Sequence, residues 1–130
     1  MSLTKGKVCD KLSEWARAKP AIDRLWLFGS VARIADISEE FTPGIEVTDI
    51  DILVEWNQLA RAEVLNGDCW DDEDLWCFLQ EQWTAELAHS LGLEQKYIAL
   101  RWLEPEGRTP TLEKGLRESS VLLLEGNRTG

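Results

Sequence analysis

The segment TDIDILVEW, residues 48–56, constrains this chain more than any other. Ile50, Ile52, Leu53 and Val54 read as a buried β-strand, yet Asp49 and Asp51 interrupt the run two residues apart. Side chains two apart on a strand share a face and stand roughly 6–7 Å from one another. Two unpaired carboxylates that close repel each other, and each costs free energy to remove from water. A divalent cation held between them removes both costs. Mg²⁺ suits such a half-site, because it takes one or two carboxylates and leaves its other positions to phosphate oxygens and water. The alternative is an amphipathic edge strand with Asp49 and Asp51 turned to solvent.

The preceding apolar segment points to what such a cation would serve. In LWLFGSVAR (25–33), a strand read over 24–29 stops at Gly29, and a short helix is expected in SVARIAD from Ser30. That turn would aim backbone N–H groups, the Ser30 hydroxyl and the positive end of a helix beyond the strand. Gly29 permits close approach of a phosphate to the backbone, and Ser30 can cap the helix or donate to a phosphate oxygen. A phosphate cradle on the strand before a metal pair describes a nucleoside triphosphate site.

The rest of the chain supplies helices and strands in alternation. Val8, Leu12 and Trp15 recur at helical spacing before Pro20, which predicts a first helix. Residues 37–47, with Pro43-Gly44, read as a loop, and 57–69 as irregular or weakly helical. DDEDLW opens the longest helix, whose stripe of Trp76, Leu79, Trp83, Leu87 and Leu91 ends near Gly92. QKYIALRWL (95–103) is a further strand, 104–110 a loop, 111–120 a short helix and VLLLE (121–125) a last apolar run. The pattern predicts one α/β (α+β) domain over 1–130, a mixed sheet flanked by helices. Trp76 and Trp83 are expected to serve core packing, and the acidic run DCWDDED (68–74) to favour the positive end of a helix.

Composition narrows the class of partner. A formal net charge of −10 with a pI near 4.5 argues against broad nucleic-acid or anionic-lipid binding. A local cation can still reverse the sign of one pocket. No apolar run approaches a membrane span, and the first twenty residues do not read as a signal peptide. Cys9, Cys69 and Cys77 form no CxxC pair and His89 is the single histidine, so buried or partly buried reduced thiols and a cytoplasmic protein are expected.

FGSVAR followed by TDIDILV resembles the DNA polymerase β-type nucleotidyltransferase superfamily, in particular its minimal single-domain prokaryotic members of antitoxin type. The resemblance implies that Gly29 and Ser30 hold nucleotide phosphates and that Asp49 and Asp51 bind two Mg²⁺. Arg33 matches a basic position that often follows the Gly-Ser pair. The implied activity is transfer of a nucleoside monophosphate, AMP from ATP in the first instance, to a hydroxyl acceptor. The family also implies a small helical partner protein of the HEPN type, which the transferase neutralises by adenylylation; a homo-oligomer is left open. Two features depart from the pattern. Eighteen residues, 31–48, separate Ser30 from Asp49, a longer connection than compact members have. A third carboxylate is expected on the later strand QKYIALRWL, where Lys96 and Tyr97 stand instead; Glu94 is the nearest acid before it and Glu104 the nearest after. Glu94 is therefore the candidate surrogate. The competing expectation is a degenerate module that keeps the fold and the nucleotide but not the turnover.

Overall fold

Thr4 starts the first helix. Its side chain accepts the backbone N–H of Lys7 at 3.1 Å, which satisfies one of the donors that a helix start leaves free. Helix α1 (Lys5–Arg17) follows a two-residue strand β1 (Leu3–Thr4) and buries Val8, Leu12 and Ala16, one residue per turn. The elements then run β2 (Ile22–Phe28), α2 (Gly29–Ala32), β3 (Glu40–Phe41), β4 (Ile50–Trp56), α3 (Asp72–Leu91), β5 (Ile98–Trp102) and β6 (Val121–Glu125). The computed structural model describes residues 2–45, 49–104, 114 and 120–125. Thr48 of the opening segment, and nearly all of the loop and helix expected over 104–120, lie outside them.

Four strands form one mixed sheet in the order β5-β4-β2-β6. Strand β2 pairs antiparallel with both β4 and β6, and β4 pairs parallel with β5. Helices and a mixed sheet make this an α+β fold. Residues 37–47 are not loop throughout: Glu40 and Phe41 pair with Thr4 and Leu3 in a small antiparallel ribbon. Two residues per strand are too few to show an alternation that a sequence could betray.

One core lies between the sheet and the two long helices. Val8, Leu12 and Ala16 of α1 and Leu75, Leu79, Trp83, Leu87 and Leu91 of α3 meet Leu25, Leu27, Ile50, Ile52, Val54 and Leu100 there. The Trp83 ring is fully buried and touches Trp15 and Trp76 edge-on, at centroid distances of 5.8 and 6.2 Å. The tryptophans of α3 therefore pack the core. Asp71 caps α3 by accepting the Asp74 N–H at 2.8 Å, Asp72, Glu73 and Asp74 fill its first turn, and Gly92 at φ 68° ends it. The acidic run is thus a helix start complementing the dipole. Cys9 is half-buried, but Cys69 and Cys77 are exposed, contrary to the expectation of buried or partly buried thiols. Among the described residues no helix is long and apolar enough to cross a membrane.

Alternation along β4 sorts its side chains onto two faces of the sheet. Ile50, Ile52 and Val54 point into the core, while Asp51 and Leu53, on the other face, are only half-buried.

Candidate functional site

The site is built where β2 ends and β4 begins. Their antiparallel register sets Asp51 opposite Phe28, so the turn after Phe28 falls against the Asp51 side chain. Gly29 opens this turn at φ +73°, a conformation that costs other residues free energy. A β-carbon added to Gly29 would overlap the Asp51 Oδ2 and lie 3.0 Å from its Cγ and 3.2 Å from its Cβ. The carboxylate of Asp51 thus occupies the space that glycine leaves open. The two motifs read separately in the sequence meet atom against atom.

This gives Gly29 a packing role that the sequence did not suggest. Its missing side chain admits Asp51, where the sequence suggested admission of a ligand phosphate. Helix α2 is also shorter than expected: it holds four residues, and the Arg33 N–H closes it onto the carbonyls of Gly29 and Ser30 at 3.3 Å. A single turn aligns few peptide dipoles. Anion recognition here would rest on the Ser30 hydroxyl and the Arg33 guanidinium, both exposed, and not on a helix end.

Lys5, at the start of α1, fixes the end of that turn. Its Nζ donates to the carbonyls of Ala32 and Ile34, each at 2.8 Å, on either side of Arg33. Nothing in the sequence signalled this contact, because the partners lie 27 and 29 residues away.

Strand β5 forms the other wall. Its parallel register puts Ala99 beside Asp51 and Arg101 beside Leu53, on the same face as the acidic pair. Burial pushes the Asp51 carboxyl above its ordinary range; the neighbouring Asp49 adds to this, while Arg101 and Arg33 oppose it. Two carboxylates and two guanidiniums therefore act on one another at this end of the sheet. Among the described residues, no hydrogen bond or ion pair engages the side chains of Ser30, Arg33, Asp49, Asp51 or Arg101. Arg101 also lines an open polar cleft of about 600 Å³ between α3 and β5, together with Gln80, Thr84, Gln95 and Lys96.

Glu94 is not brought to the pair. It precedes a short 3₁₀ turn (Gln95–Tyr97) before β5, is largely exposed, and its carboxylate lies 3.3 Å from Lys96 Nζ. Among the described residues no three His, Cys, Asp or Glu side chains gather as metal ligands. Asp49 and Asp51 suit a single Mg²⁺ whose remaining positions go to phosphate and water. Among the described residues β5 adds no third carboxylate beside them, its same-face positions carrying Ala99 and Arg101. Arg101 could be noticed in the sequence only as a charge inside an apolar run; its place beside Leu53, on the face that carries Asp51, depends on strand register. No family model matches the chain and no curated protein matches it.

Proposed function

We propose that the chain binds a Mg²⁺–nucleoside triphosphate, ATP in the first instance, in a site of the nucleotidyltransferase kind. The observation that carries this is the packing of the Asp51 carboxylate onto Gly29, which unites an Asp-x-Asp strand with a Gly-Ser turn. Asp49 and Asp51 would hold the ion, while Ser30 and Arg33 would donate to phosphate oxygens. When bound, Mg²⁺ supplies neutralisation of phosphate charge. The half-burial of Asp51 supports this role, since a carboxylate raised by desolvation and by a like charge gains most from a cation.

The activity such a site serves is transfer of a nucleoside monophosphate to a hydroxyl, with pyrophosphate leaving. By the resemblance, that hydroxyl would belong to a small helical partner of the HEPN type. A second reading, binding without efficient turnover, is favoured by one observation: β5 brings no carboxylate beside Asp51. Among the described residues no further carboxylate stands there to take the acceptor's proton, and such help is typically worth about 10²–10⁴ in rate.

Titration calorimetry with Mg²⁺ and a non-hydrolysable ATP analogue tests the site. The parent should bind, and Asp49→Asn with Asp51→Asn should abolish metal-dependent binding while the circular dichroism spectrum stays native. Glu94→Gln, as control, should bind like the parent. Equal affinity in the double variant would place the nucleotide elsewhere.

A further inference from the structure

We propose that Arg101 stands where a second cation would, so that the site holds one divalent ion at Asp49 and Asp51 and closes on the triphosphate with two guanidiniums, Arg101 from β5 and Arg33 from the end of α2. The inference rests on the reading of this end of the sheet as a Mg²⁺–nucleoside triphosphate site, and it specifies how that site differs from a two-metal one.

Strand register limits which groups can share an ion with Asp51. From the sheet, such a side chain comes from an adjacent strand, on the same face, within about two residues of the opposite position. On one side β2 offers Phe28 and then Gly29, neither of which can ligate through a side chain. On the other side β5 offers Ala99 directly beside Asp51, and Arg101 two residues on. The only charge β5 contributes on this face is positive. Among the described residues a second dication at Asp51 would find no further carboxylate to hold it, and it would be repelled by a guanidinium that cannot shed its proton.

Charge balance points the same way. Asp49 and Asp51 bring two negative charges, which one dication balances. A triphosphate then adds charge that, among the described residues, Arg33 and Arg101 can meet at this end of the sheet, and both are exposed and engaged there by no hydrogen bond or ion pair. A guanidinium presents paired donors that match two phosphate oxygens, so a fixed arginine can replace a metal ion as phosphate ligand. It cannot replace one as ligand of an attacking hydroxyl, because it has no site to accept a lone pair. The arrangement retains a nucleoside triphosphate and transfers from it slowly.

Mn²⁺ can be counted by electron paramagnetic resonance and takes the place of Mg²⁺ as probe, with the non-hydrolysable ATP analogue as ligand. The parent should bind one Mn²⁺ per chain at saturating analogue, and Arg101→Asp should bind two. Arg101→Ala should weaken analogue binding by about tenfold to a hundredfold while leaving the melting temperature unchanged. Two Mn²⁺ in the parent, or parent-like affinity in Arg101→Ala, would overturn the role of Arg101 and leave the nucleotide site standing. If the parent binds no analogue in the presence of Mn²⁺, the site assignment itself falls, and the role of Arg101 with it.

Discussion

Strand β4 carries two carboxylates on one face, Asp51 near its start and Glu55 near its end, and the sheet treats them in opposite ways. Glu55 is 5 % exposed and sits directly opposite Arg24 of β2. Arg24 Nε and Nη2 donate to its two oxygens, each at 2.9 Å, in the paired geometry that makes such contacts strong. Asp51 has Phe28 on one side and Ala99 on the other, and no hydrogen bond within the described residues. The same strand therefore pairs one acid with an arginine and leaves the other, among the described residues, without a hydrogen bond or ion pair. The Arg24–Glu55 pair lies across two strands and so ties β4 to β2, whereas Asp51 is half-buried over a glycine with no such partner among the described residues.

Breaking the satisfied end should have the largest effect. Arg24→Ala removes both guanidinium donors from the buried Glu55 carboxylate, and should cost about 3–4 kcal/mol in chemical denaturation. Adding Glu55→Leu should recover much of that loss, since a buried carboxylate stripped of these two donors carries the penalty. A loss below about 1 kcal/mol for Arg24→Ala would show that the pair is no more than a surface ion pair.

At the open end, Gly29→Ala should cost about 2–3 kcal/mol, because alanine is strained in a left-handed backbone and its methyl displaces the Asp51 carboxylate. The same variant should lose Mg²⁺-dependent binding of the ATP analogue. Retained binding with lowered stability would separate the glycine's structural role from the site.

The smallest effect has the opposite sign. The Asp51 carboxyl is raised in the fold above its unfolded value of about 3.9, so between those two values the folded chain holds more proton than the unfolded one. Its penalty is present in full above the folded value, and lowering the pH through that value removes it progressively. Asp51→Asn should therefore melt about 1–3 °C above the parent near neutral pH in metal-free buffer. The gain should vanish below about pH 3. A variant that melts below the parent at neutral pH would mean that the Asp51 carboxylate makes a stabilising contact after all.

Much of the fold was legible where signals were local. The alternation in β4, the apolar run of β2 ending at a glycine, and the caps of α3 at Asp71 and Gly92 all appear in the structure within a few residues of their expected bounds. The 37–47 segment hid β3 because two residues carry no period. The acidic pair and the Gly-Ser turn were legible as parts, but their contact was not, since it depends on Phe28 facing Asp51. Register likewise decided which residues of β5 flank the pair. Lys96 and Tyr97 stand out by sequence position, whereas Ala99 and Arg101 hold the places that matter, because pairing between strands is a non-local choice. Cys69 and Cys77 read as interior because an apolar side chain in a helical stretch looks the same on either face.

Five of the seven tryptophans touch in an unbroken row: Trp15 to Trp83, Trp83 to Trp76, Trp76 to Trp102, and Trp102 stacked on Trp56 at 4.9 Å. Light absorbed by one indole in such a row can pass to the next, so most of the ultraviolet emission reports the core from α1 to β4 as one body. Trp26 stands outside the row, on the Asp51 face beside Leu53, with the Arg24 guanidinium 4.9 Å from its ring. With Trp70 set apart against Phe78 at 5.7 Å, the indoles divide into a row that reports whether the core is assembled and two separate probes, of which Trp26 stands beside the Arg24 charge on the Asp51 face.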